Sequence, residues 1–284
     1  MSELKNKIDF AVVFSVKNAN PNGDPLNGNR PRETLDGMGE VSDVCLKRKI
    51  RNRLQDMGES VFVQMEERSN DGFDSLSKRA EGNEALRNAG KDKKQYAKAA
   101  CKQWIDVRTF GQVFAFKSGS EKKDGVSVGV RGPVTIHPAI SHEVVEIESL
   151  QITKSVNSEP GEKKSADTMG SKHRIRFGLY SFCGSINCQL AEGTGFSEED
   201  AEKVLEALKT LFDNDASSAR PEGSMEVCRV YWWKHPCASG KYPSAKVHRS
   251  LKIVCNSPNP KSFDDYMVMA DELPGLTCDE YQLV

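Results

Sequence analysis

Hydrophobic positions along the chain change period several times, and each change predicts an element. Residues 8–16, "IDFAVVFSV", place Ile8, Phe10, Val12, Phe14 and Val16 at every second position, the pattern of a strand with one buried face. A polar stretch, "NANPNGDPLNGNRPR", follows at residues 18–32. In "SDVCLKRKIRNRLQDMG" the period becomes helical: Ser42 is a ready N-cap, and Leu46, Ile50, Leu54 and Met57 fall on one face. From 64 to 103 the text is polar, mixed in charge and helical in propensity but poor in apolar periodicity, which predicts an inserted subdomain packed loosely on the core.

Apolar text returns with "WIDVRTFGQVFAF", then a "KSGSEKKDG" loop, then "VSVGVRGPVTI" and "EVVEIESLQIT", read as two strands. Residues 154–172, "KSVNSEPGEKKSADTMGSK", form a second polar excursion with a lone Met169 and no core of its own. A loop of that length inside a compact domain is usually functional or disordered. "HRIRFGLYSF" resumes alternation through Ile175, Phe177 and Leu179. "FSEEDAEKVLEALKTLF" is the clearest helix, opened by Ser197 and Asp200, with Val204, Leu205, Leu208, Leu211 and Phe212 on one face. "SMEVCRVYWW" and "AKVHRSLKIVC" close with strand text. This order predicts an α+β fold with a ferredoxin-like core of the kind RNA-recognition modules use, one domain across residues 1–284 with insertions.

Composition narrows the class. With 37% hydrophobic and 29% charged residues and a mean hydropathy of −0.57, the 284-residue chain reads as a soluble globular protein. No apolar run approaches the roughly 20 residues of a membrane span, and "MSELKNKIDF" lacks the apolar core of a signal peptide, so a cytoplasmic location with no membrane partner is expected. Eight cysteines without a CxxC pair predict reduced thiols; Cys228, His235, Cys237 and His248 match no zinc-finger spacing, and no metal or other cofactor is expected.

A net charge of −1 argues against capture of nucleic acid by the whole surface but not by one face. Arg30, Arg32, Lys47, Arg48, Lys49, Arg51 and Arg53 crowd one short region. Helical geometry puts Lys47 and Arg51 on one flank of the apolar stripe and Lys49 and Arg53 on the other.

The polar loop fails two familiar tests. A phosphate loop ends in Gly-Lys-Ser/Thr, which is missing here, and a calcium loop starting at Asn20 would need Gly and Glu where Pro25 and Pro31 stand. What remains is a stiff loop of amides and two arginines leading into a cationic helix. Such a surface suits a sugar-phosphate backbone; a solvated basic helix beside a turn-rich loop is the other reading the residues allow. Catalysis is hard to assemble: no G-x-S-x-G elbow occurs, and Asp24 is the single carboxylate in the loop, a poor basis for a two-metal site.

The blocks "FSVKNANPNGDPLNGNRPR", "SDVCLKRKIRNRL", "DVRTFGQVF", "GPVTIHPAIS", "SLQITKSVN", "TMGSKHRIRFGLYSFCGSIN" and "GFSEEDAEKVLEAL", in this order, closely resemble the backbone subunit of the CRISPR Cascade surveillance complex, the Cas-seven family in its type I-C form. The resemblance runs over roughly residues 8–255, with Cys188 departing from the Pro that follows "IN" in the family pattern. It implies a modified RNA-recognition palm, a finger or web insertion at 64–103 and a protruding thumb loop at 154–172. It further implies a non-catalytic subunit whose copies assemble head to tail along one guide RNA, which pairs with a target DNA strand. Its other partners would be the guide-end cap, large and small Cascade subunits and, through the complex, a recruited nuclease-helicase.

Carried onto this chain, the resemblance assigns guide contact to Asn20, Asn22, Gly23, Asp24, Asn27, Asn29 and Arg30 in the loop, and offers Lys47, Arg48, Lys49, Arg51 and Arg53 on the helix, not all of which can face RNA. It places Arg108, Phe110 and Gly111 near the guide, although Phe110 is equally suited to the core. In the thumb it makes Met169 a wedge between nucleotides, with Lys172 and His173 on the return; packing of Met169 on a neighbouring subunit is the alternative. The rival it raises is a metal-dependent ribonuclease using Asp24, as in related complexes.

Overall fold

The computed structural model describes residues 2–116, 127–153 and 169–284. The chain begins with β1 (Ile8–Ala19), a small hairpin β2 (Gly23–Asp24) and β3 (Arg30–Pro31), then β4 (Met38–Val41) and α1 (Asp43–Asp56). Four helices follow, α2 (Leu76–Gly82), α3 (Glu84–Ala89), α4 (Lys93–Gln103) and α5 (Ile105–Phe110), and then β5 (Gly111–Phe114), β6 (Val128–Arg131), β7 (Val134–Ile136), β8 (Ala139–Val144) and β9 (Ile147–Thr153). The second half contains β10 (Met169–Ile186), α6 (Cys188–Thr194), α7 (Glu198–Lys209), β11 (Met225–Lys234), α8 (Ser244–His248), β12 (Leu251–Cys255), β13 (Tyr266–Ala270) and β14 (Thr277–Gln282).

An antiparallel sheet of eight strands organises these elements. Its main order is β14-β11-β1-β10-β8-β4, with β7 and β9 also pairing β10. β1 sits between β10 and β11, antiparallel to both, with Phe14 opposite Tyr180 and Phe10 opposite Trp232. On one face Phe10, Val12, Phe14 and Val16 meet Leu46, Ile50 and Leu54 of α1 and Val204, Leu205 and Leu208 of α7. The alternation and both helical stripes therefore face one core.

The other face of β1 is buried as well, which period two alone does not predict. Ala11 and Val13 pack with Leu179, Tyr231 and Trp233 beneath Val247 of α8 and the inner side of the β12–β13 hairpin. Part of the closing text expected as strand is thus α8, which begins directly after Pro243, a residue that can precede a helix but not continue one. Asp9 is fully buried on this second face. His235 Nε2 lies 2.8 Å from its Oδ2, Lys7 Nζ 3.3 Å away, and His248 Nε2 3.6 Å from Oδ1. The two histidines of the discarded zinc pattern converge instead on this carboxylate.

The insertion is better packed than its weak periodicity suggests. Phe62, Trp104 and Phe114, which flank the 64–103 segment, enclose Ala80, Leu86, Ala100 and Cys101 from within it, with the Phe62 and Trp104 rings 4.6 Å apart. The segment adds small side chains and the isolated larger Leu86 and Tyr96 to a core built around aromatics outside it, so no apolar stripe stands out in its own text. The run read as one strand, "VSVGVRGPVTI", is split into β6 and β7 at Gly132-Pro133; a Cβ at Gly132 would collide with the backbone of Thr109, Phe110 and Gly111. Residues 117–126, holding the whole "KSGSEKKDG" loop, and 154–168, most of the expected thumb loop, lie outside the described residues.

Candidate nucleic-acid interface

The polar loop is fastened at its base and open at its tip. Asn20 is buried; its Nδ2 donates to the Asn29 carbonyl at 2.8 Å and its backbone N–H to that of Ala219 at 2.9 Å. Asn22 Oδ1 accepts from Ser42 N–H at 3.0 Å and from the Ser42 hydroxyl at 2.9 Å, locking the loop to the N-cap of α1. Asp24 Oδ1 accepts from Leu26 N–H at 3.2 Å, capping a single 3-10 turn, and lies 3.4 Å from Arg32. A Cβ on Gly23 would strike the Asn29 side chain. Asn20, Asn22, Gly23 and Asp24 therefore build the loop's frame. Asn27, Gly28 and Asn29 form its exposed tip, the last two at φ +58°, which Gly and Asn adopt at least cost.

Most cations of α1 are neutralised inside the molecule. Lys47 Nζ pairs with Asp43 at 2.9 Å, Arg51 with Asp106 at 3.1 Å, and Arg53 with Asp213 at 3.6 Å. Lys49 is buried against Asp215, which also accepts from Arg220 at 3.0 Å; burial holds the Lys49 ammonium below its ordinary pKa despite that carboxylate. Arg48 Nη1 donates to the Val63 carbonyl at 2.6 Å, and burial, reinforced by Arg51, lowers its pKa. For Lys49, Arg51 and Arg53 the carboxylates come from other elements, whereas that of Lys47 lies one turn away on α1 itself.

The "DVRTFG" block is held in the same way. Arg108 grips Asp200 through two bonds of 2.9 and 2.8 Å, joining α5 to the capping box of α7. The Arg51 guanidinium covers the Phe110 ring at 5.0 Å. Gly111 sits at φ +83°, where a Cβ would run into Val130 O.

Beyond the sheet, β9 and the first half of β10 form a two-stranded stem, with Met169 opposite Thr153, Lys172 opposite Leu150 and His173 opposite Ser149. Pleating divides it into two faces. Met169, Ser171 and His173 share one with Ser149 and Gln151; Lys172 and Arg174 share the other with Glu148, Leu150 and Ile152. Met169 is 56% exposed, and Gln151 Nε2 approaches its sulfur at 3.3 Å. Sequence reasoning missed Ser149, Leu150 and Ile152, although the alternation in "IESLQIT" carried the signal for two exposed faces. The loop and the stem meet at Ser149: Arg30 Nη1 donates to its Oγ at 2.8 Å, and His173 Nδ1 lies 2.9 Å from the same oxygen.

Fold and surface together define a mixed α/β protein on one large antiparallel sheet, with a pinned amide-rich loop set against a two-stranded stem. Its family follows from the chain as a whole: the family described as CRISPR-associated protein Cas7 matches residues 6–271, and the chain belongs to it. A relative named CRISPR-associated protein Cas7, from Haloferax volcanii, is 29% identical over 211 residues, which is 70% of this chain and 62% of that protein. The match thus spans less than two thirds of that relative's length. Chains of two solved structures, titled "CRISPR RNA-guided surveillance complex, pre-nicking" and "CRISPR RNA-guided surveillance complex", align with TM-scores of 0.49 and 0.47 at 13% and 16% identity. They cover 80% of this chain each, and 78% and 68% of their own. Among the described residues, no helix is long and apolar enough to cross a membrane.

Proposed function

We propose that this chain is a non-catalytic, RNA-binding backbone subunit of a type I-C Cascade complex. In this reading several copies line one guide RNA head to tail, hold its backbone and leave its bases to pair with a target DNA strand. The observation that carries the reading is the construction of the loop. Its base is tied into the palm through Asn20 and Asn22, while Asn27 and Asn29 stand exposed beside Arg30 at the foot of the stem. Carboxamides and a guanidinium presented from a rigid frame suit ribose and phosphate oxygens that repeat at every nucleotide, whatever the base.

The ribonuclease reading gains nothing from Asp24. Its carboxylate is occupied by the Leu26 amide and Arg32, so its position is accounted for by holding the loop's shape. Native mass spectrometry of the chain co-expressed with a CRISPR transcript and companion Cascade subunits tests the proposal. Several copies on one intact guide RNA are expected; a single copy, or RNA degraded by wild type and spared by Asp24→Asn, would overturn it.

A further inference from the structure

We propose that Ser149 is a positioning residue that joins the palm loop to the stem in a composite subsite for one backbone phosphate. This inference rests on the RNA-binding reading above. An arginine can only donate, so Ser149 Oγ accepts from Arg30 Nη1, while His173 Nδ1 lies within hydrogen-bond distance of the same oxygen; in the tautomer that accepts the serine O–H there, the ring N–H is on Nε2 and is a second donor. Arg30 keeps the rest of its five N–H groups. Donors from two elements, 143 residues apart in sequence, are thereby held within the span of two hydrogen bonds of 2.8 and 2.9 Å. A phosphate bridged through its two unesterified oxygens fits such a pair.

The surrounding charges favour an anion. Asp24, opposite Arg30 in the β2–β3 hairpin, is 3.4 Å from Arg32. Glu148 and Glu146 project from the other side of the stem or its root, where Arg174 and Arg176 hold them at 2.9 and 3.2 Å. The side chains that share the Ser149 face, Gln151, Ser171 and Met169, are neutral. Among the described residues no carboxylate lies within ion-pair distance of Arg30, in contrast to Arg32, Lys47, Lys49, Arg51, Arg53 and Arg108, each of which has one. A fixed cation held by a neutral hydroxyl keeps its charge for an incoming phosphate.

The test uses the full chain and a fluorescein-labelled single-stranded RNA of mixed sequence, with affinity measured by anisotropy across a salt series. Ser149→Ala is expected to weaken binding about threefold to tenfold, the worth of one positioning hydrogen bond. Ser149→Thr, which keeps the hydroxyl, should restore it. Arg30→Ala and the Ser149→Ala/Arg30→Ala double variant should bind alike, because the serine acts through the arginine. Thermal unfolding of Ser149→Ala should match wild type, since the side chain is exposed. Wild-type affinity in Ser149→Ala, full additivity in the double variant, or no rescue by Thr overturns the subsite while leaving the RNA-binding reading in place. Failure of the wild-type chain to bind RNA with a salt-dependent affinity overturns both.

Discussion

Lys49 and Asp215, 166 residues apart in the chain, form a buried ion pair that ties the middle of α1 to the loop ahead of β11. Their side chains are 3% and 14% exposed, so the lysine that sequence pattern offers to RNA is used to tie α1 to the rest of the fold. Arg51 with Asp106 and Arg108 with Asp200 repeat the arrangement, each with a carboxylate that is 1% exposed. A cationic helix on paper is a cross-braced one in the fold.

Removing one member of such a pair leaves the other uncompensated. Lys49→Met should destabilise the protein by about 3 kcal/mol, the low end for a broken buried pair because Arg220 still faces Asp215. The midpoint of urea unfolding reads this directly. A loss below about 1 kcal/mol would mean that water screens the pair as it does at a surface.

Two glycines with positive φ should respond unequally to alanine. Gly28, at φ +58°, has open space around a Cβ, so Gly28→Ala should cost about 1 kcal/mol of backbone strain. At Gly111, φ +83°, the methyl group would also meet Val130 O and Gly132 N, and the cost should rise to about 3 kcal/mol. Equal melting temperatures for the two variants would contradict the close approach of β5 to β6.

Asp9 should govern stability in acid. Burial alone would raise its pKa, but the His248 and His235 imidazoles, the Ser244 hydroxyl and Lys7 more than offset that and lower it from 3.8 to about 2. Because the folded value is depressed, the contribution is complete above pH 3.8 and is lost as pH falls through about 2. It amounts to roughly 2 kcal/mol. Denaturant unfolding at a series of acid pH values should therefore show a shallower dependence on pH in Asp9→Asn than in wild type, and parallel curves would remove Asp9 from the account.

Met169 is exposed, with Gln151 Nε2 3.3 Å from its sulfur. Met169→Ala should change stability by no more than about 0.5 kcal/mol, while altering the number of copies assembled on guide RNA or the affinity for target DNA. Unchanged assembly and unchanged pairing would end its proposed role as a wedge.

Arg30→Ala should weaken RNA binding to the same degree on every sequence and lower the slope of log affinity against log salt by about one. A loss confined to particular sequences would argue for base reading. Lys49→Met, compared at temperatures where both proteins are folded, should leave that slope unchanged.

Much of this was legible in the sequence because it is local. Strand alternation in residues 8–16, the α1 and α7 stripes, and the Ser42 and Ser197 caps depend on neighbours within a turn or two, and each appears where the pattern placed it. The amide-rich loop was equally visible, since Asn, Gly and Pro declare their backbone geometry residue by residue. The helix hidden in "AKVHRSLKIVC", the break at Gly132-Pro133 and the aromatic core of the insertion were less so, because each depends on what packs against it.

The sequence by itself determined the elements, their apolar faces and the concentration of basic residues from Arg30 to Arg53. Only the tertiary structure decided which of those charges remain available. Asp106, Asp213 and Asp215 come from segments far along the chain, and a salt bridge depends on distance in space, which no local period encodes. The same folding that buries Lys49 brings Arg30 to a neutral hydroxyl on β9, and so separates the cations that brace the fold from one with a neutral partner at the foot of the stem.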